Sequence, residues 1–232
     1  MNDLLQGLGQ AFGLILSLDP TLYEVIWFSL YVSGVALAYS TLLGIPLGAL
    51  LGLKSFPGRR VTMALLYTGM GFPPVVIGLF VYLLLSRSGP VGSLGWLFTP
   101  RAIIVAQTII ALPLVAGLTM AAVKGVDPNL RQQLLSLGAT DWQATLAVLA
   151  EARAGVIVSV VAGFGAVISE VGAVMLVGGN IEGKTRTLTT AVVLETRKGN
   201  FDLAIALGVI LLSMSFLINL LMLRSQGRDF VR

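Results

Sequence analysis

The chain has no cysteine and no histidine, and only 11% of its 232 residues are charged. The missing cysteine excludes disulfides and thiol chemistry. Without either residue the usual zinc sites are gone, and no metal centre is expected. There is also no G-x-x-x-x-G-K-[ST] loop and no G-x-G-x-x-G turn after a strand, so nothing here binds ATP or a dinucleotide by those routes. The scarcity of charge says most. Soluble domains carry about 25% charged residues, whereas here the apolar fraction is 56% and mean hydropathy +0.92. A water-soluble body of this size has no room to hide so much apolar side chain. The start of the chain carries Asp3 rather than a basic cluster, and its apolar run over 14–18 is short, so a cleaved secretion signal is not expected.

What is there is a set of long charge-free runs, over 25–53, 61–86, 102–123 and 203–223, and a run over 154–181 interrupted only by Glu170. A bilayer takes about 20 apolar helical residues to cross, and unpaired backbone groups are too costly in lipid for anything but helix. The expected fold is therefore all-α and polytopic, with five spans near 25–53, 61–85, 103–123, 154–177 and 203–223. Residues 1–20 read as an interfacial segment, in which an amphipathic helix over 4–18 would lie along the surface or add a sixth span. Residues 21–223 form the membrane domain and 224–232 a tail. With the N-terminus outside, the inner side receives Lys54, Arg59, Arg60, Lys124, Arg131, Arg153, Arg224, Arg228 and Arg232. The outer side receives Arg87, Arg101, Lys184, Arg186, Arg197 and Lys198. The excess inside predicts N-out and C-in. The net charge of +4 belongs to that bias rather than to nucleic-acid binding.

Gly44, Gly48 and Gly52 share one face of the first span, where a second helix backbone is expected to approach closely. Pro73 and Pro74 in the second span, and Pro113 in the third, each remove a backbone donor. They read either as static kinks or as breaks beside a transport pathway.

The inner loop over 124–152 is expected to hold two short helices. Asp127 caps the first, with Pro128 at its first position and its end near Leu137. Gly138 breaks the chain, and Thr140 or Asp141 caps the second. Trp142, Leu146 and Leu149 then share a face that either packs back on the membrane domain or enters a partner's groove. With so little positive charge, a DNA-reading role is the weaker alternative.

Glu170 is the only acid inside a span, in a stretch rich in small residues that includes Gly163, Gly165, Ser169 and Gly172. A carboxylate at that depth is costly unless it faces protein or water. It reads as a brace or hinge, or as a group on the pathway itself. The outer segment over 178–202 holds Asn180, Thr185, Arg186 and Thr187. These are either donors along an anion's route or part of an ordinary solvated loop with a short helix over 189–196.

Together these segments resemble the membrane subunit (permease) of the ABC importers, and within that family the tungstate branch related to the molybdate and sulfate permeases. The inner segment Gln132-Gln133-Leu134-Leu135-Ser136-Leu137-Gly138-Ala139-Thr140 is similar to the family's cytoplasmic loop, E-A-A, three residues, then G. Here Gln132, Gln133 and Leu134 stand in place of the triplet, and a proline usual downstream is absent. Gly163-Phe164-Gly165, then Ile168 to Met175, then Val177 to Ile181 resemble the tungstate permeases, and 183–187 resembles the outer loop of oxyanion permeases. The resemblance implies a type I importer fold and a homodimer. It implies that Gln132, Gln133, Leu137, Gly138, Ala139 and Trp142 couple to a separate ATPase subunit, which carries ATP and Mg, while this chain binds no cofactor. It also implies delivery of the oxyanion by an extracytoplasmic binding protein. Pro73, Pro74, Gly163, Gly165, Ser169, Glu170 and Gly172 are the translocation or gating candidates, and Asn180, Thr185, Arg186 and Thr187 the outer-loop candidates. The expected location is a cell membrane, the inner one in a Gram-negative cell, with no catalytic residue in this chain. Three rivals stand beside this reading. A secondary transporter needs repeats or coupling acids, and an intramembrane enzyme needs paired catalytic groups. A passive channel or scaffold is the third.

Overall fold

A computed structural model describes residues 20–224, together with Gly9 and Gly13. The interfacial segment expected over 4–18 and the tail beyond Arg224 lie outside the described residues. Within them the chain forms ten α-helices and one 3-10 turn, with no strand. In chain order these are α1 Pro20–Leu53, α2 Arg59–Met70, α3 Pro74–Leu85, the 3-10 turn Gly92–Leu94, α4 Pro100–Lys124, α5 Pro128–Ser136, α6 Asp141–Glu151, α7 Arg153–Ile168, α8 Gly172–Gly178, α9 Leu188–Lys198 and α10 Phe201–Arg224.

Three helices are unbroken and apolar enough to cross a membrane, at Pro20–Leu53, Pro100–Lys124 and Phe201–Met222, and counting two bent pairs as spans, α2 with α3 and α6 with α7 (71° apart), raises the number to five. The expected second span, 61–85, is not one helix. It divides into α2 and α3, whose axes differ by 104°. Pro73 is extended (φ −62°, ψ 121°) and Pro74 opens α3. Two adjacent prolines supply no N–H to the preceding turn, and a residue before proline is pushed out of the helical region. The expected fourth span, 154–177, is also interrupted: α7 ends at Ile168 and α8 starts at Gly172. At 16 residues α7 is about 24 Å long, short of the roughly 30 Å hydrocarbon core. Pro113, by contrast, leaves α4 continuous. Its ring lies where a side chain on Gly69 of α2 would meet it, 3.0 Å away.

The glycine face of α1 meets α4. A Cβ at Gly44 would stand 3.0 Å from Val115 Cγ1, one at Gly48 would run into the Ala116 carbonyl, and one at Gly52 would sit 2.9 Å from Val123 Cγ1. The two backbones approach closely over the C-terminal half of both helices, where dispersion between packed atoms holds helices in lipid. Buried hydroxyls add direction. Ser40 Oγ donates to Ala36 O at 2.8 Å and reaches Thr108 O at 3.2 Å, and Thr119 and Ser159 hydroxyls pair at 3.0 Å between α4 and α7. At the end of α1, Arg59 donates through Nε and Nη2 to Leu51 O, so the cation that opens α2 caps α1.

Candidate functional site

The two helix breaks lie against each other. A Cβ at Gly78 of α3 would stand 2.5 Å from Ala173 Cα, and one at Gly172 would run into Val75 Cγ2. Thus α3 and α8, each beginning at a break, pack side by side from their first turns. Their buried faces share a core containing Val32, Ile77, Val81, Ile103, Ala106 and Val174, so α1 and α4 form a fixed wall behind them. Of the pathway candidates, Pro73, Pro74, Glu170 and Gly172 are brought together here. Ser169 is exposed one residue away, donating back to Gly165 O at 2.6 Å. Gly163 belongs elsewhere, packed towards Val115 and Leu37, and Gly165 faces open space.

Glu170 is buried, 9% exposed. Its Oε1 accepts from Ala173 N–H at 2.8 Å. The first N–H groups of a helix have no partner within it, and this carboxylate takes one of them just where α8 restarts inside the fold. The geometry is that of a brace across the break.

The segment over 178–202 is mixed: Thr185, Thr187, Thr189 and Thr190 are all buried, while residues 181–184 and 196–200 are exposed. The threonine hydroxyls are largely spent within the fold. Thr185 Oγ1 donates to Gly178 O at 2.6 Å and accepts from Ile181 N–H at 2.9 Å. Thr187 caps α9 in a reciprocal box with Thr190. The helix expected over 189–196 is Leu188–Lys198, longer at both ends. Thr189 Oγ1 donates to the Glu170 carbonyl at 3.0 Å, which ties α9 to the break. Asn180 has left-handed backbone (φ 52°), and its Oδ1 is buried without a partner. Arg186 pairs with Glu182 at 3.2 Å, leaving its buried Nε unpartnered. In α9 the carboxyl of Glu195 is held below its ordinary range by hydrogen bonds from Asn200 and Lys198.

At the other end of the fold α5 and α6 form the expected pair. Asp127 accepts from Asn129 N–H at 2.9 Å. Ala139 N–H bonds to Leu134 O and Gly138 N–H to Leu135 O, a Schellman closure that needs the left-handed φ of +89° found at Gly138. Thr140 then caps α6 in a box with Gln143. Arg131 pairs with Asp141 between the two helices. The module has two faces. Val148 and Ala152 are buried with Val123 against Leu53, Val126 and Val156, seating it on the ends of α1, α4 and α7. Leu137 and Trp142 project, 83% and 68% exposed, with Leu146, Gln132 and Gln133 also exposed and Ala139 half-buried. Leu149 is only partly exposed, so the expected three-residue face is split between seat and surface.

One residue was not singled out from sequence. Gln107 of α4 is 1% exposed, and its Nε2 donates to Val167 O at 2.9 Å, fastening the end of α7 before the break. Its only sequence signal is a long polar side chain in the charge-free run over 102–123.

Comparison with known proteins gives the family. The model for the binding-protein-dependent transport system inner membrane component matches residues 44–228. A probable anion ABC transporter permease protein of Haloferax volcanii is 45% identical, covering 89% of this chain and 91% of the relative. The tungstate uptake system permease protein TupB of Peptoclostridium acidaminophilum is 40% identical over 94% and 96%. A solved chain of the MetNI methionine ABC transporter, in an inward-facing crystal form, superposes with a TM-score of 0.73 at 20% identity, covering 91% of this chain and 99% of that one. The all-α, polytopic fold is that of the type I importer permeases. The chain belongs to the family of binding-protein-dependent transport system inner membrane components.

Proposed function

We propose that this chain is the permease of a tungstate importer, working as a homodimer in the cell membrane (the inner membrane of a Gram-negative cell). Its N-terminus lies outside and its C-terminus in the cytoplasm. A separate binding protein delivers the oxyanion from outside, and a separate ATPase, holding ATP and Mg, drives the cycle. The chain itself performs no covalent chemistry.

The observation that carries this reading is the α5–α6 module. Leu137 and Trp142 are large exposed apolar side chains, Trp142 beside a groove that it shares with Ile45, Pro46 and Leu50 of α1, while Val148 and Ala152 are seated against α1, α4 and α7. Such a ridge fits a groove on a partner protein, and its seat passes a push to three helices at once. Those helices support the paired breaks at 71–74 and 169–171, where the packing of α3 against α8 has two arrangements to choose between. ATP binding and hydrolysis shift the population between them. The relative named for tungstate uptake, at 40% identity over nearly the whole chain, supports the choice of cargo. The outer threonines act as scaffold for the break rather than as a row of free donors, since their hydroxyls already have partners.

The test is reconstitution of the permease, the ATPase and the binding protein in liposomes. Tungstate uptake that needs all three components, and that exceeds sulfate uptake, is the expected result. Uptake without the ATPase would favour a secondary transporter.

A further inference from the structure

A second feature has no part in that cycle. Helices α1 and α4 run parallel, with Ser33 beside Gln107, Gly44 beside Val115, Gly48 beside Ala116 and Thr119, and Gly52 beside Val123. On their outer flank they leave an open groove of about 540 Å³. Its length follows from α1: Tyr31 to Leu43 spans about 18 Å along the helix, close to the thickness of one leaflet, half of a roughly 30 Å hydrocarbon core. Below the mouth the lining is mostly apolar, with Val35, Leu43, Val105 and Ile109; Thr108 spends its hydroxyl on Ile104 O, and Tyr39 is the other polar side chain there. The mouth is different. Tyr31 and Trp96 stand there, and the Arg101 guanidinium lies 5.6 Å from the centre of the Trp96 ring. Arg101 is exposed, and among the described residues no acid stands within ion-pair distance of it. Around Tyr31 the groove adjoins a second cavity, lined by exposed Lys184 and by Arg186, with Glu24 as the acid on its rim.

We infer that this groove holds one acidic phospholipid, its chain along α1 and α4 and its phosphate at Arg101. The amphipathic rings at the mouth suit the boundary between headgroup and chain. An unpaired cation at that depth attracts anionic headgroups. The mostly apolar floor below it offers a bare anion no cation, and the length fits a single chain of one leaflet. The charge at the mouth also argues against a second copy of this chain as occupant: the same groove on a partner would bring the same arginine and, within its own lining, no acid to meet it. On the orientation proposed above, the lipid belongs to the outer leaflet.

The experiment uses the permease purified with its ATPase in detergent, stripped of lipid, and titrated with phosphatidylglycerol or phosphatidylcholine. Native mass spectrometry counts the molecules retained. Phosphatidylglycerol is expected to be held in preference. Arg101→Gln should lower its retention about five-fold while leaving phosphatidylcholine unchanged. Val105→Trp, which fills the groove and keeps the arginine, should lose both lipids; Leu43→Trp narrows the groove from the other helix if that variant fails to assemble. Equal retention of phosphatidylglycerol by wild type and Arg101→Gln overturns the proposal. Undiminished retention by the groove-filling variants also overturns it, reducing the site to a surface anion contact. Because the natural chain has no cysteine, Tyr39→Cys offers a clean third arm. Efficient disulfide pairing between copies at that position would mean that protein covers the groove, and would end the lipid assignment.

Discussion

The hydroxyl of Thr189 donates a 3.0 Å hydrogen bond to the main-chain carbonyl of Glu170. One bond thus joins the outer helix α9 to the break between α7 and α8. Thr189→Val keeps the side chain's shape and removes the donor, leaving a buried carbonyl short of a partner. It should cost about 1 kcal/mol. A thermal unfolding series in detergent checks this, and an unchanged midpoint would mean that the bond does not hold α9 in place.

Glu170 braces the break through one acceptor oxygen, and the amide oxygen of Gln can do the same. Glu170→Gln should therefore transport nearly as wild type at every pH, whereas Glu170→Ala, which frees the Ala173 N–H, should lose about 1–2 kcal/mol and most of the transport. Transport rates of the two variants across a pH series decide the matter. A large loss in Glu170→Gln would assign the charge, rather than the bond, a role on the pathway.

The contact between α3 and α8 leaves no room for a side chain at Gly78, because a Cβ there falls 2.5 Å from Ala173 Cα. Gly78→Leu should force the two helices apart, at about 1–3 kcal/mol in strain, and should abolish tungstate uptake while the protein still inserts. Gly165→Ala meets open space and should be tolerated. Equal uptake by both variants would remove the paired breaks from the mechanism.

Acid should loosen the outer helix through Glu195. Its carboxyl titrates below the ordinary value of 4.5 when folded, because Asn200 and Lys198 donate to the ionised form. A depressed carboxylate contributes stability that is full above its unfolded pKa and is lost as pH falls through the folded one. The loss therefore belongs to the range below about pH 4.5. Hydrogen exchange of α9 amides should accelerate there in wild type and show a flatter pH dependence in Glu195→Gln. Identical pH profiles would remove this carboxyl from the account.

Much of this was legible in the residue pattern, for identifiable reasons. The α5–α6 pair could be read closely because each boundary has a local chemical cause: Asp127 with Pro128, Gly138, then Thr140 with Gln143. The glycine face of α1 was visible as a spacing, but its partner α4 was not, since nothing local encodes which helix fills a groove. The prolines at 73 and 74 marked a disturbance, but not the size of the turn, 104°, or that it would set α3 against α8. The gap after Ile168 had no proline to announce it. There the Glu170 carboxylate takes the Ala173 N–H, and Gln107 takes the Val167 carbonyl from 60 residues away, partners that no local pattern encodes. The outer threonines looked solvated because hydroxyls in a polar stretch usually are, and only the tertiary fold turns them inward.

The central claim is that the α5–α6 module hands motion from a soluble ATPase to the paired breaks. Gly138 tests it most directly, since its φ of +89° disfavours any β-branched residue there and nothing lies near its Cβ position to be disturbed. The measurement is ATP hydrolysis and tungstate uptake on the same reconstituted sample of Gly138→Val. The account predicts that the variant inserts and hydrolyses ATP but takes up little tungstate. Uptake per ATP equal to wild type would contradict it.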